Sequence, residues 1–184
     1  MPRSLVLLLI LLLTGCATAP VAVQRPLQAD APFAFNGRVA VKQGEQRDSA
    51  GMRWVHSAAA DEILLLAPLG QTVARIRRDD GEATLDASGK RYTARDMEAL
   101  MQQVLGWQLP LTGMRYWVTA LPAPEGESQI ERDASGQVSL LRQQGWEISY
   151  SRYAAEGADA LPLRMKLRRE GMEVLLLIDE WEAQ

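Results

Sequence analysis

The spacing of strand signals constrains this chain more than anything else in it. Alternating apolar and polar runs recur at Phe35 to Gln43, Asp48 to Ser57, Glu62 to Ala67, Gln71 to Arg78 and Glu82 to Asp86, each followed by a short turn. A second set occupies Ser128 to Arg132, Val138 to Arg142, Trp146 to Arg152, Leu163 to Arg169 and Met172 to Trp181, with hairpin turns at Asp133-Ala134-Ser135-Gly136 and Glu170-Gly171. Parallel neighbours need a crossover of about a dozen residues, so connections this short leave antiparallel pairing. The expectation is one large meandering sheet of about ten to eleven strands. Each neighbour adds about 20 to 25° of twist, so a sheet of that width curls and acquires a concave face.

One segment departs from this pattern. Met97, Leu100, Met101, Val104 and Leu105 fall at i, i+3, i+4, i+7, i+8 spacing, which predicts an amphipathic helix ended by Gly106. Thr93-Ala94-Arg95-Asp96 reads as its capping box, with an acid one methylene shorter than the usual Glu. A shorter helical piece is expected around Thr112 to Thr119. A curved antiparallel sheet with a few helices over its concave apolar face is an α+β architecture. Ile63 to Leu66 and Val174 to Ile178 are apolar at consecutive positions, so both faces of those strands call for shielding, and the sequence does not say what covers the outer one.

The amino terminus has a different character. Arg3 precedes the apolar run Leu5 to Leu13, which as a helix spans about 14 Å, roughly half of a ~30 Å hydrocarbon core. A charged start, a short apolar centre and small residues mark residues 1–15 as a secretory signal peptide. Leu13-Thr14-Gly15-Cys16 resembles the bacterial lipobox, which implies acylation (palmitate among the chains) of Cys16 and cleavage before it. Cys16 is the only cysteine, so the exported chain forms no internal disulfide. Ala17 follows where an inner-membrane lipoprotein usually carries Asp, which by the same resemblance sends the protein to the periplasmic face of the outer membrane. Residues 16–32, with three prolines and no periodicity, suit a flexible tether, and the folded domain is expected over 33–184.

Composition excludes several kinds of chemistry. Without Arg3 the mature chain has 19 Lys+Arg (20 − 1) against 23 Asp+Glu, a net of −4 that argues against a nucleic-acid partner. His56 is the only histidine, on a strand face with Met52 and Trp54. No serine sits in a Gly-x-Ser-x-Gly elbow, and no second His or Cys completes a metal set. Gly89-Lys90 lacks the glycine that a phosphate loop needs five residues earlier. The reading is therefore a non-enzyme with no metal and no cofactor. Arg75, Arg77 and Arg78 fit either lipid phosphates or an ordinary solvated face. Leu69, at the tip of the Pro68-Leu69-Gly70 turn, stands where a polar residue is expected.

Over nearly its whole body the chain resembles the outer-membrane lipoprotein receptor family LolB. The resemblance is carried by Phe33-x-x-x-Gly37-Arg38, Ser49-Ala50-x-Met52-x-Trp54, and Leu64-x-Leu66-Ala67-Pro68-Leu69-Gly70. It continues through Trp107-Gln108-Leu109-Pro110-Leu111, Trp117, Leu121-Pro122, Leu161-Pro162 and Ile178-Asp179-x-Trp181. Ala120 departs from it, standing where the family usually has glycine. The family implies a half-barrel closed by helices over a lipid-binding cavity. It also implies a monomeric chaperone of lipoprotein localisation that takes triacylated lipoproteins from the periplasmic carrier LolA and places them in outer-membrane phospholipid. In that transport step Pro68, Leu69 and Gly70 would form a membrane-insertion loop.

Candidate acyl-chain cavity residues are Met52, Trp54, Leu64, Leu66, Ile76 and Met97, together with Leu100, Met101, Ile148, Tyr150, Met165 and Leu167. A filled core would use the same residue types, so periodicity alone leaves both open. The alternative function is a non-catalytic outer-membrane lipoprotein scaffold in envelope assembly. A lipid-modifying hydrolase is weaker, because nucleophile and base are both missing.

Overall fold

The computed structural model describes Arg25 and residues 30–79, 81–105 and 109–183. Cys16, the signal peptide, most of the tether, and the Gly106, Trp107 and Gln108 of the sequence reading lie outside the described residues. Eleven strands form one sheet: β1 Phe33–Gln43, β2 Gln46–His56, β3 Asp61–Leu66, β4 Thr72–Asp79, β5 Glu82–Ala87, β6 Lys90–Ala94, β7 Ser128–Arg132, β8 Val138–Gln143, β9 Trp146–Tyr153, β10 Pro162–Arg169 and β11 Met172–Glu182. Two helices, α1 Met97–Leu105 and α2 Leu111–Trp117, join β6 to β7. The spatial order is β6-β5-β4-β3-β2-β1-β11-β10-β9-β8-β7, with antiparallel pairing throughout. First and last strands thus meet in the middle, and the helices cross from one edge of the sheet to the other.

Register explains the core. Phe35, Trp54, Ile63, Ile76, Leu85 and Tyr92 are successive partners from β1 to β6, so one row of large side chains runs across six strands on the inner face. On the other half, Leu141, Ile148, Leu167, Val174 and Val41 form the matching row. A bulge between Asn36 and Gly37 bends β1 against β11. Gly37 is required there, because a Cβ would run into the carbonyl oxygen of Leu177.

One local expectation needs correction. Thr93 is no helix cap: it belongs to β6, a strand the sequence reading missed, and pairs with Thr84. Asp96 caps α1 alone, its Oδ1 accepting the Ala99 N–H at 2.7 Å. Ala120, by contrast, adopts the left-handed backbone (φ 57°) that glycine would take more easily, so the turn after α2 is kept at a cost of about 1–2 kcal/mol.

Asp61 gathers the buried polar groups of this half of the sheet. Asp61 accepts from Trp54 Nε1 at 2.9 Å and Arg78 Nε at 2.6 Å, and lies 2.7 Å from His56 Nδ1. Burial works against ionising Asp61, but the hydrogen bonds from His56 and Trp54 outweigh it and hold its pKa below the ordinary value. Phe33 packs 4.8 Å from the His56 ring and edge-on to Trp54, and Trp181 meets Phe35 at 5.3 Å. This aromatic group plugs the rim at which β1 begins.

Candidate functional site

The concave face is predominantly apolar, with His56, Asp61 and Gln143 as its buried polar residues. Of the residues expected there, Met52, Trp54, Ile76, Met97, Leu100, Met101, Ile148, Tyr150, Met165 and Leu167 are all buried in one continuous cluster. Leu64 and Leu66 are not among them. Trp54 pairs with Ile63 and Arg53 with Leu64, so β3 turns Asp61, Ile63 and Leu65 inward and leaves Leu64 and Leu66 half-buried on the convex face. Four consecutive apolar residues carry no parity of their own, which is why sequence misplaced them. Phe33, Phe35, Leu85, Leu141, Leu176 and Trp181 also line the interior and were missed. Phe33-x-Phe35 and Val174-x-Leu176-x-Ile178 carried that signal in their alternation.

Helices occupy the space the sheet encloses. Met97, Leu100 and Met101 of α1, and Leu111, Met114 and Trp117 of α2, are each no more than 2% exposed. The two helices are held differently. Trp117 Nε1 donates to Gln143 Oε1 at 2.9 Å, and Tyr150 Oη donates to the Trp117 carbonyl at 2.8 Å, so α2 is pinned to β8 and β9 inside the core. Burial pushes the Tyr150 hydroxyl well above its usual pKa, which keeps it a neutral donor. Gln143 also accepts the Ala123 N–H and donates to the Ala123 carbonyl, both at 2.8 Å, fixing the chain after α2.

The described hydrogen bonds of α1 run along its own first turn and to α2. Glu98 accepts the Thr112 N–H at 2.8 Å and the Thr112 hydroxyl at 2.9 Å. Its hold on the sheet is the packing of Met97, Leu100 and Met101.

The Pro68-Leu69-Gly70 loop is tight. Gly70 N–H donates to the Ala67 carbonyl at 2.8 Å, Ala67 N–H donates to Gln71 at 2.9 Å, and Gly70 sits at φ 84°. A short turn has no slack to fold its tip back onto the protein, and Leu69 is 86% exposed. Val73, four residues on, is 50% exposed.

The three arginines after the loop separate. Arg78 is spent on Asp61 and the carbonyls of Ala59 and Ser57, and Arg77 binds Glu62 at 3.2 Å. Arg75 lies 3.4 Å from the same Glu62 oxygen.

Comparison with known proteins agrees with this geometry. The family model described as "Outer membrane lipoprotein LolB" matches residues 31–181. The outer-membrane lipoprotein LolB of Chromobacterium violaceum is 40% identical over 98% of this chain and 98% of its own length. That of Nitrosomonas europaea is 38% identical over 99% of this chain and 93% of its own. Among solved structures, a domain from Vibrio parahaemolyticus assigned as an outer membrane lipoprotein-sorting protein shares the fold at a TM-score of 0.52 and 8% identity, over 85% of this chain and 87% of that one. With the half-barrel, the helix-covered apolar face and the projecting Pro-Leu-Gly loop all in place, the chain belongs to the outer membrane lipoprotein LolB family.

Proposed function

We propose that this protein is an outer-membrane receptor, anchored by acylated Cys16, that takes acylated lipoproteins from the carrier LolA and inserts them into the inner leaflet of the outer membrane without nucleotide hydrolysis or covalent catalysis. The observation that carries the reading is an apolar concave face covered by a helix, α1, that rests on it through apolar side chains. Such a cover can be exchanged for other apolar matter.

Magnitudes favour the exchange. Lifting Met97, Leu100 and Met101 into water costs about 1.5–3 kcal/mol each, or about 5–9 kcal/mol in all. Three acyl chains with on the order of 45 methylenes cost roughly 35 kcal/mol to expose. About eleven sheltered methylenes, at ~0.8 kcal/mol each, therefore offset the displacement of α1, and a triacylated cargo has several times that number. The same figures exclude free diffusion of cargo through water, so acceptance must be direct from carrier to receptor. Onward movement needs no fuel if each acceptor shelters the chains better than the last. In this reading Leu69, which projects from a tight turn and is 86% exposed, enters the bilayer and eases that final step.

The test is a transfer assay with purified LolA carrying a labelled lipoprotein, liposomes, and this protein present or omitted. Delivery that is equally fast without it ends the proposal.

A further inference from the structure

The outward leucines of the two doubly apolar strands converge. Leu175 and Leu177 pair with Ala40 and Arg38 of β1, which pair with Ser49 and Gly51 of β2, and Gly51 pairs with Leu66. Gly51 has no side chain to fill the gap, so Leu66, Pro68, Leu175 and Leu177 flank a trough of about 280 Å³ on the convex face, ending at the Leu69 loop.

The other flank of that loop is cationic. Val73 and Arg75 lead into a cleft of about 510 Å³ that also takes in the β5–β6 turn with Lys90 and Arg91. Antiparallel order puts this turn and the Leu69 loop on one rim of the sheet. Arg75, Arg77, Lys90 and Arg91 face two acids, Glu62 and Asp86, for a local net of +2 (4 − 2) in a chain of net −3. Glu62 serves two guanidinium groups, and the sheltered Nε of Arg75 has no hydrogen-bond acceptor. Asp79 and Glu82, the acids at the β4–β5 turn, stand at the opposite rim.

We propose that the convex face on both sides of the Leu69 loop is a docking surface for an anionic phospholipid bilayer. The leucine trough and Val73 sit in the interfacial layer, and Arg75 and Lys90 take the lipid phosphates, while Arg91 is held by Asp86 through two hydrogen bonds at 2.7 and 3.0 Å. The proposal rests on the reading that Leu69 enters the membrane, and it enlarges that contact from a point to a strip. Charge complementarity selects the occupant: an apolar band bordered by surplus cations matches acyl chains beneath negative headgroups. It also supplies a cover for Leu66, Leu175 and Leu177, whose outer faces no described residue closes over.

The test uses the acylated protein, in which Cys16 offers no free thiol. An environment-sensitive fluorophore is placed at Ser88→Cys on the strip, at Gln71→Cys beside the tip, or at Glu156→Cys on the opposite rim. Each is reconstituted in phosphatidylethanolamine vesicles with or without phosphatidylglycerol. The expected result is a blue shift and protection from aqueous quencher at positions 71 and 88, stronger with phosphatidylglycerol, and none at 156. A response at 71 without one at 88 overturns the strip and leaves the loop reading standing, while silence at both removes the loop reading itself.

Arg75→Gln and Lys90→Gln should each slow delivery into phosphatidylglycerol vesicles about fivefold at low salt, with uptake from the carrier unchanged. An equal loss into uncharged vesicles overturns the proposal. Slowed uptake with normal delivery would also overturn it, assigning the surface to the carrier instead.

Discussion

Removing the Glu98 side chain tests whether α1 is the moving cover. In this structure, which the proposed function takes as the closed state, the Glu98 carboxylate accepts two hydrogen bonds from Thr112, and one of them satisfies a backbone N–H in the first turn of α2 that has no partner within the helix. The pair is solvent-exposed, so it contributes less than a buried charged hydrogen bond. An N-cap is the better guide, and Glu98→Ala should cost the closed state about 1–2 kcal/mol. If α1 lifts away from α2 when cargo enters, the clasp exists only in the closed state, and its loss shifts the open fraction by a factor of about 5–30. Apparent affinity for a fluorescent fatty acid should tighten by the same factor, because the closed form competes with the ligand. Uptake from loaded LolA should quicken in parallel. Urea unfolding of the same variant gives the total stability lost. If stability falls by about 1–2 kcal/mol while affinity and uptake keep their parent values, the clasp survives in the loaded form and α1 is not the cover.

At the loop, Leu69→Glu should leave folding and uptake unchanged, since the side chain is 86% exposed and supports nothing, yet slow delivery into liposomes about tenfold or more by forfeiting the burial of one leucine and adding a charge. A delivery rate equal to that of the parent would remove Leu69 from the mechanism. Cys16→Ala should abolish acylation and outer-membrane fractionation while the soluble body still accepts cargo from LolA; loss of acceptance would give the anchor a part in transfer itself. Asp61→Asn should destabilise the fold by about 3 kcal/mol or more at neutral pH, because it takes the charge from a carboxylate that serves Trp54, His56 and Arg78. The folded pKa of Asp61 lies below the unfolded one, so its stabilisation is complete above the ordinary Asp range, near pH 4, and fades as pH falls through the folded value. Denaturant titrations of parent and variant should therefore converge in acid, and a gap that persists unchanged there would refute the assignment.

Much of the fold was legible because alternation and short turns leave an antiparallel chain few choices. Strand β6 escaped because Lys90 to Ala94 leads straight to an amphipathic helix, and Thr93 three residues before Asp96 imitates a cap. The face of β3 escaped for a different reason. Ile63, Leu64, Leu65 and Leu66 are equally apolar, and only pairing with Trp54 and Arg53 on β2 decides which pair turns inward. Parity there is a property of two strands together, which one strand's sequence does not contain.

The distinction between a packed core and the proposed lipid site was not legible at all, and the filled interior supplies the reason. An apolar hollow large enough for acyl chains is costly when empty, since its walls lose their dispersion partners and water gains nothing by entering. A receptor waiting for cargo is therefore most stable when its own side chains stand in for the missing tails. Met97, Met101 and Met114, unbranched and easily re-seated, fit irregular space as an acyl chain does. On the proposed function, the same selection for apolar, adaptable residues acts on a sheet that would hold the chains and on helices that would stand in for them, and it leaves the pattern of an ordinary core. What separates the two is attachment: α2 is fixed by buried hydrogen bonds through Trp117, Gln143 and Tyr150, while α1 is tied by Glu98 to its neighbour helix and by packing to the sheet. That asymmetry depends on which side chains meet across the fold, so it becomes visible only once the chain is folded.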